Sequence, residues 1–261
     1  MKHKTLTLIT LILIPVLFLN SNFKEKRQHV IISTEYGDIE IELYNETPKH
    51  RDNFIKLIND SLYRNLLFHR VINSFVIQGG DPDSKNAAPG KKLGQGGLNY
   101  TIPAEINPMF FHKKGALAAA REGDRTNPEK ASSSTQFYIV HGKLFSEMEL
   151  KFLEKKRNTE IYKKKFNELI QGKVSDTTNL AKKKKFHEEA LAYVEENKFE
   201  FSSSQKRAYT KIGGAPSLDG NYTVFGEVVE GIEVVDKIAN LHTDSNDRPY
   251  QDVRFTITLK K

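Results

Sequence analysis

The run Phe68-His-Arg-Val-Ile-Asn-Ser-Phe-Val-Ile-Gln-Gly-Gly-Asp81 constrains the fold of this chain more than any other stretch. Val71, Ile72, Phe75, Val76 and Ile77 are β-branched or aromatic, and Asn73-Ser74 interrupts them where a tight turn belongs. The pattern predicts strand, turn, strand and a stop at Gly79-Gly80. One charged residue, Arg70, stands in this apolar hairpin. It is either the solvent-reaching end of a buried hairpin or the cation of an active-site strand pair. Two distant aromatic-rich segments also read as strands, Ser134-Thr-Gln-Phe-Tyr-Ile-Val140 and Leu218-Asp-Gly-Asn-Tyr-Thr-Val-Phe-Gly226. Alternation of side chains along the first of these directs Phe137 into the core, away from its neighbours.

Together, the three runs resemble the signatures of the cyclophilin family of peptidyl-prolyl isomerases, which have the forms FHRxIxxFxxQGGD, SQFFI and LDGxxxVFG. The resemblance covers residues 28 to 142 and 213 to 261, with the motifs in the family's order. The fold it implies is mainly β, a closed eight-stranded antiparallel barrel with helices at its ends. The reaction it implies is rotation about X-Pro bonds, which amide resonance opposes with a barrier of ~18 to 20 kcal/mol. Arg70, Gln78 and Phe75 fall on the family's catalytic positions. A guanidinium directed at the proline nitrogen stabilises its lone pair as the amide twists and stays charged at every relevant pH. Gln78 is expected to hold Arg70 and a substrate carbonyl. The implied substrate-binding residues are Val76, Ala120, Arg121, Gln136, Tyr138, Leu218 and Tyr222. Several of these depart from the family pattern: Tyr138 stands for Phe, Val76 for a frequent Met, Arg121 for Asn and Tyr222 for a frequent His. Main-chain contacts at Ala120 and Arg121 survive such changes, and Arg121 then lends charge to the rim.

The rest of the chain fits around that frame. Val30, Ile31 and Ile32, a turn at Gly37-Asp38, and then Ile39, Ile41 and Leu43 read as an antiparallel hairpin. Thr47-Pro48 reads as an N-cap and first helical residue, with Phe54, Leu57 and Ile58 as an apolar face that plugs one end of the barrel. Residues 81 to 105, rich in Gly, Pro and Asn, form a long loop. A phosphate cradle there would need a Gly-Lys-Ser/Thr ending that is absent. Gly115 to Ala120 is small-residue strand material that lets a ligand backbone approach. Tyr222 to Val229, Glu230 to Ala239 and Asp252 to Leu259 read as strand, amphipathic helix and strand.

Residues 143 to 212 differ in composition. They hold 17 Lys and Arg against 11 Asp and Glu, which accounts for +6 of the chain's net +7. Ser146 with Glu149 makes a capping-box pattern. Met148, Phe152, Tyr162, Phe166, Leu169 and Ile170 recur at roughly helical spacing, as do Phe186, Ala190 and Val194. Ser203 or Ser204 caps a third short helix ending at Gly213-Gly214. The segment is therefore expected to be a charged helical insertion that adds binding surface, while isomerisation needs only the barrel. Lys182 to Lys185 read as a solvated helix face and not as a nucleic-acid site, since no stacking aromatics accompany them.

Residues 1 to 23 carry Lys2 and Lys4, then the apolar run Leu6 to Leu19 interrupted by Pro15, then Asn20-Ser21-Asn22. This is a secretory signal peptide pattern, or an N-terminal membrane anchor if it stays uncleaved. The body is expected to be exported to the periplasm or cell envelope, as a monomer whose partners are proline-containing unfolded or exported polypeptides. The expected role is to assist their folding. A non-catalytic proline-peptide-binding chaperone or scaffold is the alternative. The chain has no cysteine, which excludes disulfides, thiolate metal sites and a catalytic thiol. It also has no His-Glu-x-x-His pair or Gly-x-Ser-x-Gly elbow. No cofactor or metal is expected, and His50, His112, His141 and His187 read as surface or loop residues. His69 reads as packed and hydrogen-bonded.

Overall fold

A computed structural model describes residues 26 to 171 and 180 to 261. The expected signal peptide or anchor at residues 1 to 23 lies outside the described residues. Among those described, no helix is long and apolar enough to cross a membrane.

The chain starts with the expected hairpin, β1 (His29–Thr34) and β2 (Gly37–Leu43). Its turn falls at Glu35-Tyr36, two residues earlier than predicted, and Gly37 at φ +127 opens the second strand. Helix α1 (Pro48–Asn59) follows as predicted, with proline in its first turn. Its N-terminal N–H groups are satisfied from afar. Glu105 accepts from Lys49 N at 3.1 Å and His50 N at 3.0 Å, placing a carboxylate at the positive end of the helix dipole. Next come β3 (Leu66–Leu67), β4 (Arg70–Ile72), β5 (Val76–Gly79), β6 (Thr101–Ile102), β7 (Ala116–Ala119), β8 (Ser132–Ser133) and β9 (Phe137–Val140). Helices α2 (Glu147–Gln171), α3 (Leu180–Glu196) and α4 (Ser203–Lys211) follow, then β10 (Val224–Glu230), α5 (Ile232–Ala239) and β11 (Arg254–Leu259). Leu218 to Thr223, expected to begin a strand, is a 3-10 turn at Pro216–Leu218 and a loop; the strand starts only at Val224.

Nine strands pair antiparallel in the order β3-β11-β1-β2-β10-β7-β9-β5-β4. The expected closed eight-stranded barrel is therefore corrected to a curled, open nine-stranded sheet. The opening has a local cause. Its two edges, β3 and β4, are successive pieces of one segment, and Phe68-His69 between them turns away from both ladders. Phe68 N–H donates to Val253 O at 2.9 Å and Val71 N–H to Asp247 O at 2.7 Å, so a C-terminal loop takes donors that a closed ladder would use.

Strand alternation sorts side chains into two layers. Ile77, Phe137, Ile139 and Leu117 enter a continuous core with Phe54 and Leu57 of α1 and Val234, Val235 and Ile238 of α5. Phe137 sits at its centre, with ring centroids 5.5 Å from Phe54 and 5.7 Å from Phe255. Burying each such ring contributes about 1.5–3 kcal/mol. Val76, Tyr138, Val140, Ala116 and Ala118 face the other way and form a second cluster, against which Phe75, Leu218 and Tyr222 pack.

The inserted helices α2 and α3 pack on each other, and α4 packs on α2. Ser146 and Glu149 exchange the predicted capping-box bonds, Ser146 N–H to Glu149 Oε2 at 2.8 Å and Glu149 N–H to Ser146 Oγ at 3.2 Å. The cap of α4 is Ser202, one residue before the expected pair, with Gln205 closing the box. The buried face of α2 is also shifted. Leu150 is buried, while Met148 and Phe152 are exposed.

Candidate active site

The β4–β5 hairpin places Arg70 opposite Gln78, and the β5–β9 ladder places Gln78 opposite Tyr138. Ser74 takes the left-handed conformation at the turn, φ 59. Gly80 is required where the hairpin ends. Its φ is +90, and a Cβ there would lie 2.2 Å from Thr135 O. Asp81 then anchors the glycine-rich loop, accepting from Gly94 N at 2.5 Å and Gly96 N at 3.3 Å. Gln136 anchors the same loop by donating Nε2–H to Gly94 O at 3.1 Å and Gly96 O at 2.7 Å.

These elements enclose a cleft of about 390 Å³. Arg70, Phe75, Val76, Gln78, Ala120, Arg121, Tyr138, Leu218 and Tyr222 all line it, so residues from four separated stretches of sequence meet in one place. Gln136 lines an adjoining cleft beyond Gln78 and Arg121. The floor is apolar, with Val76 and Tyr138 buried, and the rim is charged. The Arg70 side chain is 40% exposed.

Arg70 is held by a residue that sequence reasoning missed. Its Nε–H donates to Asp247 Oδ2 at 3.2 Å, while its two Nη groups meet no acceptor among the described residues and remain available to a ligand. Gln78 does not hold Arg70, contrary to expectation. Its Nε2–H donates to Gln136 Oε1 at 3.1 Å. Asp247 itself sits at φ 62, fixed because its carbonyl accepts from Val71 and its N–H donates to Asp244 O. Nothing periodic marks Asp247 in the polar stretch Thr243 to Arg248; only the turn-forming Asp-Ser-Asn-Asp composition could have drawn attention to it. Neighbouring Arg248, unlike Asp247, is buried, paired with Asp252 at 2.7 Å and donating to Ala88 O and Lys91 O, so it ties two loops beside the cleft.

Arg121 is clamped. Its guanidinium lies 4.6 Å over the Tyr222 ring, donates to Asn221 O at 2.6 Å and pairs with Asp124 at 2.6 Å. With its side chain only 4% exposed, it builds wall more than it lends charge to the rim.

The histidines depart from expectation at one position. His187 is exposed and His112 and His141 lie in loops as expected, although His112 is buried and His141 largely so, whereas His50 is buried within α1. His50 bridges Glu105 and Ser132, at 2.7 and 2.9 Å, and burial pushes its pKa down, with Glu105 offsetting part of the shift. His69 is packed beside the cleft as expected, but neither ring nitrogen has a well-formed hydrogen bond. Burial pushes its pKa down to about 4 despite nearby Asp81, so its ring is neutral near pH 7. Among the described residues no cluster of His, Asp or Glu could hold a metal ion.

Comparison with known proteins completes the picture. The family model for cyclophilin type peptidyl-prolyl cis-trans isomerases matches residues 29–183 and 155–258. A candidate peptidyl-prolyl cis-trans isomerase of Staphylococcus haemolyticus is 28% identical over 239 residues, which span 90% of this chain and 92% of that one. A candidate bifunctional phosphatase/peptidyl-prolyl cis-trans isomerase of Streptococcus pyogenes is 30% identical over 228 residues, 86% of this chain but 37% of that one. Among solved structures, a cyclophilin type isomerase of Cryptosporidium parvum superposes with TM-score 0.54 at 21% identity, covering 90% of this chain and 98% of that one. The fold is thus shared, and that protein has also been solved in the presence of the dipeptide Ala-Pro.

Proposed function

The chain belongs to the cyclophilin type peptidyl-prolyl cis-trans isomerase family, and from that premise we propose that Arg70 catalyses X-Pro rotation in the cleft during the folding of exported proteins. The observation that carries this reading is the position of Arg70. Asp247 fixes the guanidinium through Nε, the Arg70 Nη groups meet no acceptor among the described residues, and Arg70 stands at the edge of an apolar floor built from Phe75, Val76 and Tyr138. A proline ring seated on that floor brings its nitrogen within reach of the Nη groups. As the amide twists, the nitrogen lone pair localises and accepts from the guanidinium, an interaction stronger in the transition state than in the ground state. No proton is transferred and no bond breaks. A ~10⁵-fold acceleration requires roughly 7 kcal/mol, which a charge-assisted hydrogen bond and orientation in a partly dry cleft can supply together. Gln136 orders the groove by holding Gln78, whose amide oxygen is the polar group offered to the peptide beside the proline.

Support for an exported site of action comes from the basic, then apolar, composition of residues 1 to 23. The test is refolding of a protein whose slow phase is proline-limited, run beside cis/trans exchange in a short X-Pro peptide. Acceleration of both is the expected result. Slowed or unchanged exchange with tight peptide binding would replace this reading by a holding role, that of a chaperone or scaffold.

A further inference from the structure

Three hydrogen bonds run from the inserted helices to the turn after Leu218. Tyr209 of α4 donates its hydroxyl to Asp219 Oδ2 at 2.5 Å, and Gln205 of the same helix donates to that oxygen at 3.1 Å. Arg157 of α2 donates Nη2–H to the Asp219 carbonyl at 2.8 Å. The turn is fitted to α2, since a Cβ on Gly220 would lie 2.5 Å from Arg157 Nη2. The other carboxylate oxygen, Oδ1, accepts from the main-chain N–H and from Nδ1–H of His112, both at 2.9 Å. The far side of that imidazole, Nε2, meets the Tyr138 hydroxyl at 3.0 Å. Asp219, His112, Tyr209 and Tyr138 are all buried. A continuous polar chain thus joins the insertion to the floor of the cleft, through an otherwise apolar region.

The physical consequence follows from the cost of a buried carboxylate, which is tolerated only while donors surround it. The insertion supplies both donors to Oδ2, and His112 supplies both to Oδ1. Burial, with Asp219 adding to it at Tyr209, raises the pKa of both tyrosine hydroxyls, so they stay protonated. Without the α4 donors Oδ2 is left unpaired in a dry site. The carboxylate must then turn toward water and release His112, and with it the Tyr138 ring, whose centroid lies 5.8 Å from that of Tyr222.

We propose that the insertion sets the orientation of Tyr138 through Asp219 and His112, with Tyr209 as the positioning residue at its far end. This rests on Tyr138 being part of the proline site and departs from the expectation that the barrel alone suffices for isomerisation. A double-mutant cycle tests it. Tyr209→Phe keeps the ring that packs on Phe201 and Phe145 but removes the shorter of the two α4 donors to Oδ2, leaving Gln205. In the otherwise wild-type protein it is expected to lower kcat/KM about five-fold. In a Tyr138→Phe background, where the chain is already cut, it is expected to have no further effect. An equal loss in both backgrounds would mean a general structural role and would overturn the inference, as would no loss in either. Affinity for an X-Pro peptide is read on the same four proteins. If the wild type binds but does not isomerise, the catalytic reading fails and the same cycle in Kd decides the coupling by itself. Should Tyr209→Phe not fold, Arg157→Met is cycled with Tyr138→Phe under the same criteria.

Discussion

Twenty-five buried apolar residues form one core inside the curled sheet, contributed by α1, α5 and most strands, whereas the cluster at the root of the insertion holds three, Leu150, Phe201 and Tyr209. The insertion compensates with polar stitching. Asn158 of α2 exchanges hydrogen bonds with the backbone of Phe199 at 3.0 and 2.7 Å, and Glu154 accepts from Phe201 N at 2.9 Å while pairing with Lys206 of α4 at 3.1 Å. The sheet is thus held by contacts that act collectively and without direction. The helices depend on a few directional bonds, several of which end on Asp219 beside the cleft. Stability in the first region is shared, so single losses there spread. In the second it is local, and a single loss opens one piece.

The sharpest way to break that contrast is Phe137→Ala. It empties a ring-sized volume at the centre of the sheet core and is expected to cost about 3–5 kcal/mol, with strands and inserted helices melting together in one transition. Separate melting of the two regions would show that the insertion does not depend on the core. Acid probes the folded sheet through His69, buried beside the cleft. Its folded pKa of about 4 lies below the ordinary 6.5, so the neutral ring favours folding fully above pH 6.5, and that contribution is lost as pH falls toward 4. The loss amounts to about 3 kcal/mol for this group alone. Urea midpoints measured across this window should fall, and more shallowly for His69→Phe; the remaining slope includes His50, whose pKa is shifted in the same direction.

Asp219→Ala addresses the other region. It removes the shared acceptor of Tyr209, Gln205 and His112 and is expected to cost about 2 kcal/mol. Hydrogen exchange should then show amides of α4 losing protection while β1, β2 and β11 keep theirs. Uniform loss of protection would contradict the division between the regions. The smallest effect concerns Asp247. Asp247→Ala frees Arg70 and is expected to lower kcat/KM about ten-fold, equivalent to about 1.4 kcal/mol, with a stability loss of about 1 kcal/mol from alanine at φ 62. Asp247→Asn tolerates the same left-handed backbone and should lose less, because it keeps a hydrogen-bond acceptor for Arg70.

The legible parts of the chain were those written in short-range pattern. The hairpin around Asn73-Ser74, helix α1 after Thr47-Pro48, the inward Phe137 and the capping box at Ser146 each follow from spacing or local propensity. The cleft was legible because three runs resemble those of a known family. What sequence reading missed was long-range and polar. Asp247 reaches Arg70 across 177 positions, and Asp219 collects donors from residues 112, 157, 205 and 209. Periodicity and turn propensity carry no signal for such pairs. His112 illustrates the point, since it lies in a loop as expected but nothing local signals the long-range hydrogen bonds that allow its complete burial. The open sheet edge was missed for a related reason, because the donors of Phe68 and Val71 are taken by carbonyls of a distant loop.

The most direct measurement compares wild type with Arg70→Ala in cis/trans exchange of a short X-Pro peptide, with urea unfolding on the same samples. Arg70 is 40% exposed and lies at the edge of the cleft, so removing it should leave the unfolding midpoint nearly unchanged. If the guanidinium acts on the twisted amide as proposed, and not on the core, turnover should fall by about a hundred-fold or more. Equal turnover in two equally stable proteins would contradict the assignment of Arg70 as the catalytic residue.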